Sequence, residues 1–249
     1  MLAVPAYKTI GIPLIPGVTR NMTAETTCAT MLFADLHGYD ALVEQLPPLQ
    51  VVPLLDEFFA ILTGTVLECG GQIFQLAEAD MLAGFGVGDS RHTQIHEALA
   101  AARAIEQRFT PVRASWQSIY SVDTGIGVGI HRGEVAIGIF GPCAHTALTL
   151  VGDAVQVAAQ LSRRARAGEV LLSAAVHLPH EAFSGASGPA ESMRYLHLPQ
   201  LQLRGRSAPL DVWCAPVASR LQMRRPAAGS VCAVHRERER APARSCAPG

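Results

Sequence analysis

The stretch FQLAEADMLAGFG (residues 74–86) reads as two short strands joined by a tight turn, with Glu78 and Asp80 at its tip. Working outward, the glycine pair Gly70-Gly71 ends an apolar run, LQVVPLLDEFFAILTGTVLECGG (49–71). That run places Val52, Leu55, Phe59, Leu62 and Val66 on one helical face, closed by glycine as helix C-termini commonly are. Pro53 fits such a helix only in its first turn. Upstream, ATMLFADL (29–36) is a buried strand, and His37-Gly38 turns it into a short helix, HGYDALVEQL (37–46). Downstream comes an alanine-rich helix, IHEALAAARAIEQRF (95–109). DTGIGVGIHRGEVAIGIFG (123–141) reads as a second hairpin turning at Arg132-Gly133. A helix, GDAVQVAAQLSRRARAG (152–168), and a strand, EVLLSAAV (169–176), follow. The order β-α-α-β-β-α-β-β-α-β elaborates a ferredoxin-like split β-α-β plan, an α/β (α+β) sheet expected to carry its helices on one face.

Composition sets the class. The 249 residues, 49% hydrophobic and 16% charged, suffice for one domain with a sizeable core plus tails. The boundaries expected are an arm at 1–23, a domain at 24–218 and a basic disordered tail at 219–249. The tail holds seven arginines against Glu237 and Glu239, or +5, so the net charge of −1 leaves the remainder near −6. With no general positive charge and no aromatic stacking platform on the strands, nucleic acid is an unlikely partner. The six cysteines form no C-x-x-C pair, which argues against a zinc or redox site and for thiols in a reducing cytoplasm. The opening MLAVPAYKTIGIPLIPGV (1–18) is broken by three prolines, so no transmembrane segment is expected there.

LFADLHGYDAL (32–42), the glycine pair, GIHRGEVAIG (129–138), LVGDAVQVAAQL (150–161), GEVLLS (168–173) and LRGRSAPLDVW (203–213) occur in a shared order and spacing. In these, from about Ala29 to Trp213, the chain resembles the class III nucleotidyl (adenylate/guanylate) cyclase catalytic domains. The resemblance implies a homodimer or heterodimer with two Mg2+ or Mn2+ ions and a nucleoside triphosphate, ATP or GTP, at the subunit interface. It implies attack of the ribose 3′-hydroxyl on the α-phosphate, giving a 3′,5′-cyclic nucleotide and pyrophosphate. Asp35 would bridge the ions, the Leu36 backbone carbonyl would serve the second ion, and the N–H groups of His37, Gly38 and Tyr39 would meet phosphate.

The resemblance also assigns positions where this sequence differs. Counting eight residues from Gly71, or back six from Phe85, puts the second metal-binding aspartate at Ala79. Asp80 then stands one residue late, with its side chain expected on the opposite strand face. The base-reading lysine falls at Gln75 and its partner at Thr149. An asparagine and an arginine that orient the ribose and stabilise transition-state charge fall at Gln156 and Gln160. Two readings follow: a cyclase using Asp35 with a displaced acid, Asp80 or Glu78, or a catalytically silent cyclase-homology domain acting as a regulatory or heterodimer partner.

Overall fold

The computed structural model describes residues 25–87, 94–140, 147–184 and 195–216. The arm and tail expected at 1–23 and 219–249 lie outside them. In chain order the elements are β1 (Glu25–His37), α1 (Tyr39–Gln45), α2 (Pro48–Glu68), β2 (Gln72–Ala77), β3 (Asp80–Phe85), α3 (Ile95–Tyr120), β4 (Gly125–Phe140), β5 (Ala147–Val151), α4 (Asp153–Arg164), β6 (Glu169–Ser173), α5 (Ala174–Ser184), β7 (Leu196–Leu201) and β8 (Leu210–Pro216). They build one mixed sheet in the order β2-β3-β1-β4-β6-β8-β7, with β5 pairing to β4. Among the described strands only the β4–β6 pair is parallel.

Alternation along the central strands sorts side chains onto two faces. On one, Leu32, Ala34 and Leu36 of β1 join Met81, Ala83 and Phe85 of β3 and Ile126, Val128 and Ile130 of β4 beneath α2 and α3. Phe58 of α2, Phe109 and Trp116 meet there edge to face, with ring centroids 5.9 and 5.4 Å apart, and the Trp116 indole donates to Glu57. On the other, Met31, Phe33, Leu82 and Val135 pack against Ala154, Ala158 and Ala159 of α4. Helices therefore cover both faces, where the sequence suggested one.

Three further expectations are corrected. In α2 the buried positions are Val51, Leu54, Phe58, Leu62, Thr65 and Val66. The stripe is displaced by one residue in the first half, leaving Val52 exposed. Pro53 lies beyond the first turn, inside the helix, where its missing N–H leaves one intrahelical bond unmade. Among described helices α2 alone is long and apolar enough to cross a membrane; the buried stripe is the face it turns to α3 and the sheet. Finally, Arg132-Gly133 is no turn: β4 runs on through it, pairing residue by residue with β1 from Gly125↔His37 to Ile137↔Glu25.

The glycines of β4 serve helix packing instead. A Cβ at Gly129 would lie 2.2 Å from the Ala158 carbonyl oxygen, one at Gly127 would lie 2.8 Å from that of Ser162, and one at Gly133 would lie 3.0 Å from Ala154 Cβ. Glycine at 127, 129 and 133, with His131 between the last two, gives α4 a groove on one face of β4, running antiparallel to the strand. That contact fixes the height of every α4 residue above the sheet.

Candidate active site

Asp35 ends the apolar part of β1, on the α4 face with Met31 and Phe33. The strand pairing places Asp80 directly opposite it, following Phe33↔Leu82. Opposed residues of an antiparallel pair point to the same face with Cβ atoms about 4.5–5.5 Å apart. Asp80 therefore faces Asp35, and the expectation that it points away is overturned. Ala77 pairs with Asp80, so Glu78 and Ala79 alone make the turn. Glu78 takes φ 47, in the left-handed region. Ala79 is buried in the α2/α3 core, and its carbonyl accepts from the Leu36 N–H at 2.9 Å. The position counted for the second ligand thus faces the core, and its neighbour faces the site.

The electrostatics are those of two acids confined together. Burial, then the charge of Asp35, raise the Asp80 carboxyl above its ordinary value, while Arg163, more weakly, and a hydrogen bond from Gln75 oppose the shift. Burial also raises Asp35, against the attraction of His37 and Arg163. Asp80 Oδ1 is buried without a hydrogen-bond partner. An unpartnered carboxylate oxygen beside a second acid is costly, and a cation between the two would relieve both the lost hydrogen bond and the repulsion. Among the described residues no group of three or more His, Cys, Asp or Glu could hold a metal. Magnesium-type sites, however, commonly take one or two carboxylates and complete their shell with water and substrate phosphate, so the acid pair fits that class of ion.

Other positions fall around this pair or away from it. Gln75 is brought to Asp80 by a register shift between Ile73 and Gln75. Leu36 buries its side chain on the α2/α3 face. Gly38 has φ 84, and a Cβ there would lie 2.4 Å from the Asp123 carbonyl oxygen, so the β1–α1 corner requires glycine on both counts. Tyr39 packs against the α2/α3 core. Thr149 lies on β5 opposite Gly138. Gln156 is exposed on α4. Gln160 is committed elsewhere: its amide donates to the Arg204 carbonyl at 3.0 Å and accepts the Arg204 N–H at 2.7 Å.

The His37 imidazole also lies at this site, beside the backbone N–H that the sequence singled out. Its Nε2 is buried without a partner and fills the space a Cβ at Gly127 would need. The glycine alternation of β4 was the sequence signal that something would press on that face. His131 bonds Ser173 Oγ through Nδ1 at 2.7 Å. Burial, with Arg206 adding to it, lowers its pKa to about 4. A histidine held neutral when folded but basic when unfolded costs stability as pH falls from about 6.5 toward 4. At roughly 1.4 kcal/mol per pKa unit, the loss is on the order of 3 kcal/mol. Urea midpoints at pH 7 and pH 4.5 should drop less for His131→Asn than for the wild type; equal drops would refute this.

The family model described as adenylate and guanylate cyclase catalytic domain matches residues 22–210. An adenylate cyclase of Anabaena cylindrica is 30% identical over 143 residues, covering 55% of this chain and 27% of the relative. Adenylate cyclase 1 of Rhizobium meliloti is 26% identical over 188 residues, covering 74% and 27%. The chain thus spans under a third of each. The adenylyl cyclase CyaB from P. aeruginosa superposes with a TM-score of 0.70 at 21% identity, covering 80% of this chain and 98% of that one. The guanylyl cyclase Cya2 does so at 0.66 and 22%, covering 81% and 98%. With the matched span enclosing the acid pair, the hairpin that aligns it and the helix above it, the chain belongs to the class III adenylate and guanylate cyclase catalytic-domain family.

Proposed function

We propose that this domain supplies the carboxylate half of a two-subunit nucleotidyl cyclase site and depends on a second subunit for the other half. The register of Asp35 with Asp80 carries the reading: it restores two opposed acids on one strand face. In this proposal Asp35, Asp80 and the Leu36 carbonyl hold Mg2+ or Mn2+, the N–H groups of His37, Gly38 and Tyr39 receive phosphate, and Gln75 with Thr149 meets the base of ATP or GTP. The ions, when bound, neutralise the triphosphate and activate the ribose 3′-hydroxyl.

The missing half is local to α4. Gln156 and Gln160 replace the asparagine and arginine of the family pattern, and Gln160 is tied to Arg204 on the flank facing β7 and β8. One preorganised transition-state donor is typically worth about 10²–10³ in rate. The chain paired with itself therefore has carboxylates without that assistance.

A complementation assay tests this. The full chain with Mn2+ and ATP, or GTP, should form no more cyclic nucleotide than Asp35→Ala. A chain carrying Asp35→Ala, Gln156→Asn and Gln160→Arg together should also be silent alone. Mixing the two should yield product, because one brings the acids and the other the amide and guanidinium. Silence of a mixed dimer that binds nucleotide would overturn the proposal. Asp35-dependent product from the wild type alone would make it a self-sufficient enzyme.

A further inference from the structure

Arg163 stands at the height of the acid pair. Three registrations fix this without reference to charge. Asp35 is opposite Asp80 on one side and opposite Gly127 on the other. The space over Gly127 is shared by the His37 imidazole and the Ser162 carbonyl of α4, the latter 2.8 Å from where a Cβ would stand. Arg163 is the next residue, exposed in the last turn of the helix.

Helical spacing gives its direction. Val155 and Ala159 pack with Phe33 and Leu82 on the β1/β3 side, and Arg163 follows each by multiples of four, on the same flank. Val157 and Leu161 pack with Leu203 and Val212 on the opposite flank, where Gln160 and Arg164 bond the Arg204 and Gln202 carbonyls. The two arginines at this helix end are thus not equivalent. Arg164 belongs to the β7–β8 connection. Arg163 belongs to the acids, and its charge lowers both Asp35 and Asp80. Among the described residues neither acid makes a contact ion pair, so the guanidinium faces them across a gap.

We infer that Arg163 is a triphosphate-binding cation, provided by the same chain that provides the carboxylates. The inference rests on the reading that Asp35 and Asp80 take a divalent ion. A phosphate chain bridging that ion and the guanidinium would place negative charge between two positive groups, and a planar guanidinium engages phosphate oxygens through two N–H donors. A solvated arginine merely offsetting the helix dipole would be interchangeable with Arg164.

The test measures binding by the full chain. Mn2+ is titrated alone, then inorganic tripolyphosphate and ATP are titrated with Mn2+ saturating, for the wild type, Arg163→Gln, Arg163→Lys, Arg164→Gln and Asp35→Ala. Arg163→Gln should weaken tripolyphosphate and ATP alike by about tenfold or more, leave Mn2+ bound at least as tightly as in the wild type because a neighbouring positive charge is removed, leave the thermal midpoint unchanged, and be partly rescued by lysine. Arg164→Gln should leave phosphate binding unchanged. Equal affinities for wild type and Arg163→Gln would overturn the role of Arg163 alone. Failure of the wild type to bind Mn2+, or Mn2+ binding indifferent to Asp35→Ala, would overturn the acid-pair reading and this inference with it.

Discussion

Gly129→Ala is expected to cost at least about 3 kcal/mol, at the upper end of the overpacking range. The added methyl would lie 2.2 Å from the Ala158 carbonyl oxygen, 2.3 Å from the Ser162 nitrogen and 2.7 Å from Leu161 Cβ. Two of these are backbone atoms of α4, so no rotamer change relieves them, and the helix must lift from β4. Lifting would open the contacts of Ala154, Ala158 and Ala159 with the sheet and move Ser162 and Arg163 away from Gly127. Since a domain's whole stability is about 5–15 kcal/mol, Gly129→Val should fail to fold cooperatively. Gly64→Ala is the control: a Cβ there meets nothing within 4 Å, and alanine inside a helix is favoured by about 1 kcal/mol. Urea midpoints should move in opposite directions for the two alanine variants. A Gly129→Ala midpoint equal to that of the wild type would mean that α4 does not pack as closely as described.

Those glycines also mark where sequence reading stops. Their period of two is visible in GIGVGIHRG, but period alone does not say whether a glycine turns the chain or admits a neighbour. Arg132-Gly133 reads as a turn in sequence, yet Gly133 has no positive φ, and what lies over it is Ala154. Apart from β4, which the sequence reading divides in two, and β5, which it does not contain, the order of the elements up to β6 was legible because each is bounded by local signals, such as Gly70 after α2 and Gly168 before β6. The face each helix covers was not, because that depends on connections between strands distant in the chain. The phase of α2 slipped for a related reason: Val51 and Val52, Leu54 and Leu55, and Phe58 and Phe59 are adjacent apolar pairs, and only packing chooses within each.

The same limit governs the site. Asp35 could be found from its place between an apolar strand and a glycine-led helix. The partner acid could not, since counting from Gly71 and from Phe85 measures distance along the chain, whereas metal binding needs a particular strand face. Met81, Ala83 and Phe85 point to α2 and α3, so on β3 the even-numbered residues share the face of Asp35. Which parity that would be is set by the two-residue turn at Glu78-Ala79 and by cross-strand pairing. Arg163 was legible in part: its place with Arg164 one turn beyond Gln160 offers charge to the site, but which of the two arginines faces the acids is fixed only when the β4 glycines seat the helix.

Exchanging the two hairpin residues separates counting from register. Asp80→Ala should weaken Mn2+ binding by more than about tenfold, the lower bound for disturbing even an outer-shell partner of a metal site. Its stability should hold or rise, because an acid held against another acid is removed. Adding Ala79→Asp to it restores an aspartate at the counted position. If the register is as described, that aspartate enters the α2/α3 core, where Ala79 is 6% exposed, and an unpaired buried carboxyl costs several kcal/mol. The double variant should then be less stable than Asp80→Ala and bind Mn2+ no better. Recovered Mn2+ affinity at unchanged stability would mean the hairpin slips by one residue to present whichever acid it carries. That outcome would remove the Asp35–Asp80 pairing as the basis of the site. The slip is opposed by three features acting together: the hydrogen bond from Leu36 N–H to the Ala79 carbonyl, the burial of Met81, Ala83 and Phe85, and the loss of that whole apolar row to the wrong face that any one-residue shift of β3 entails.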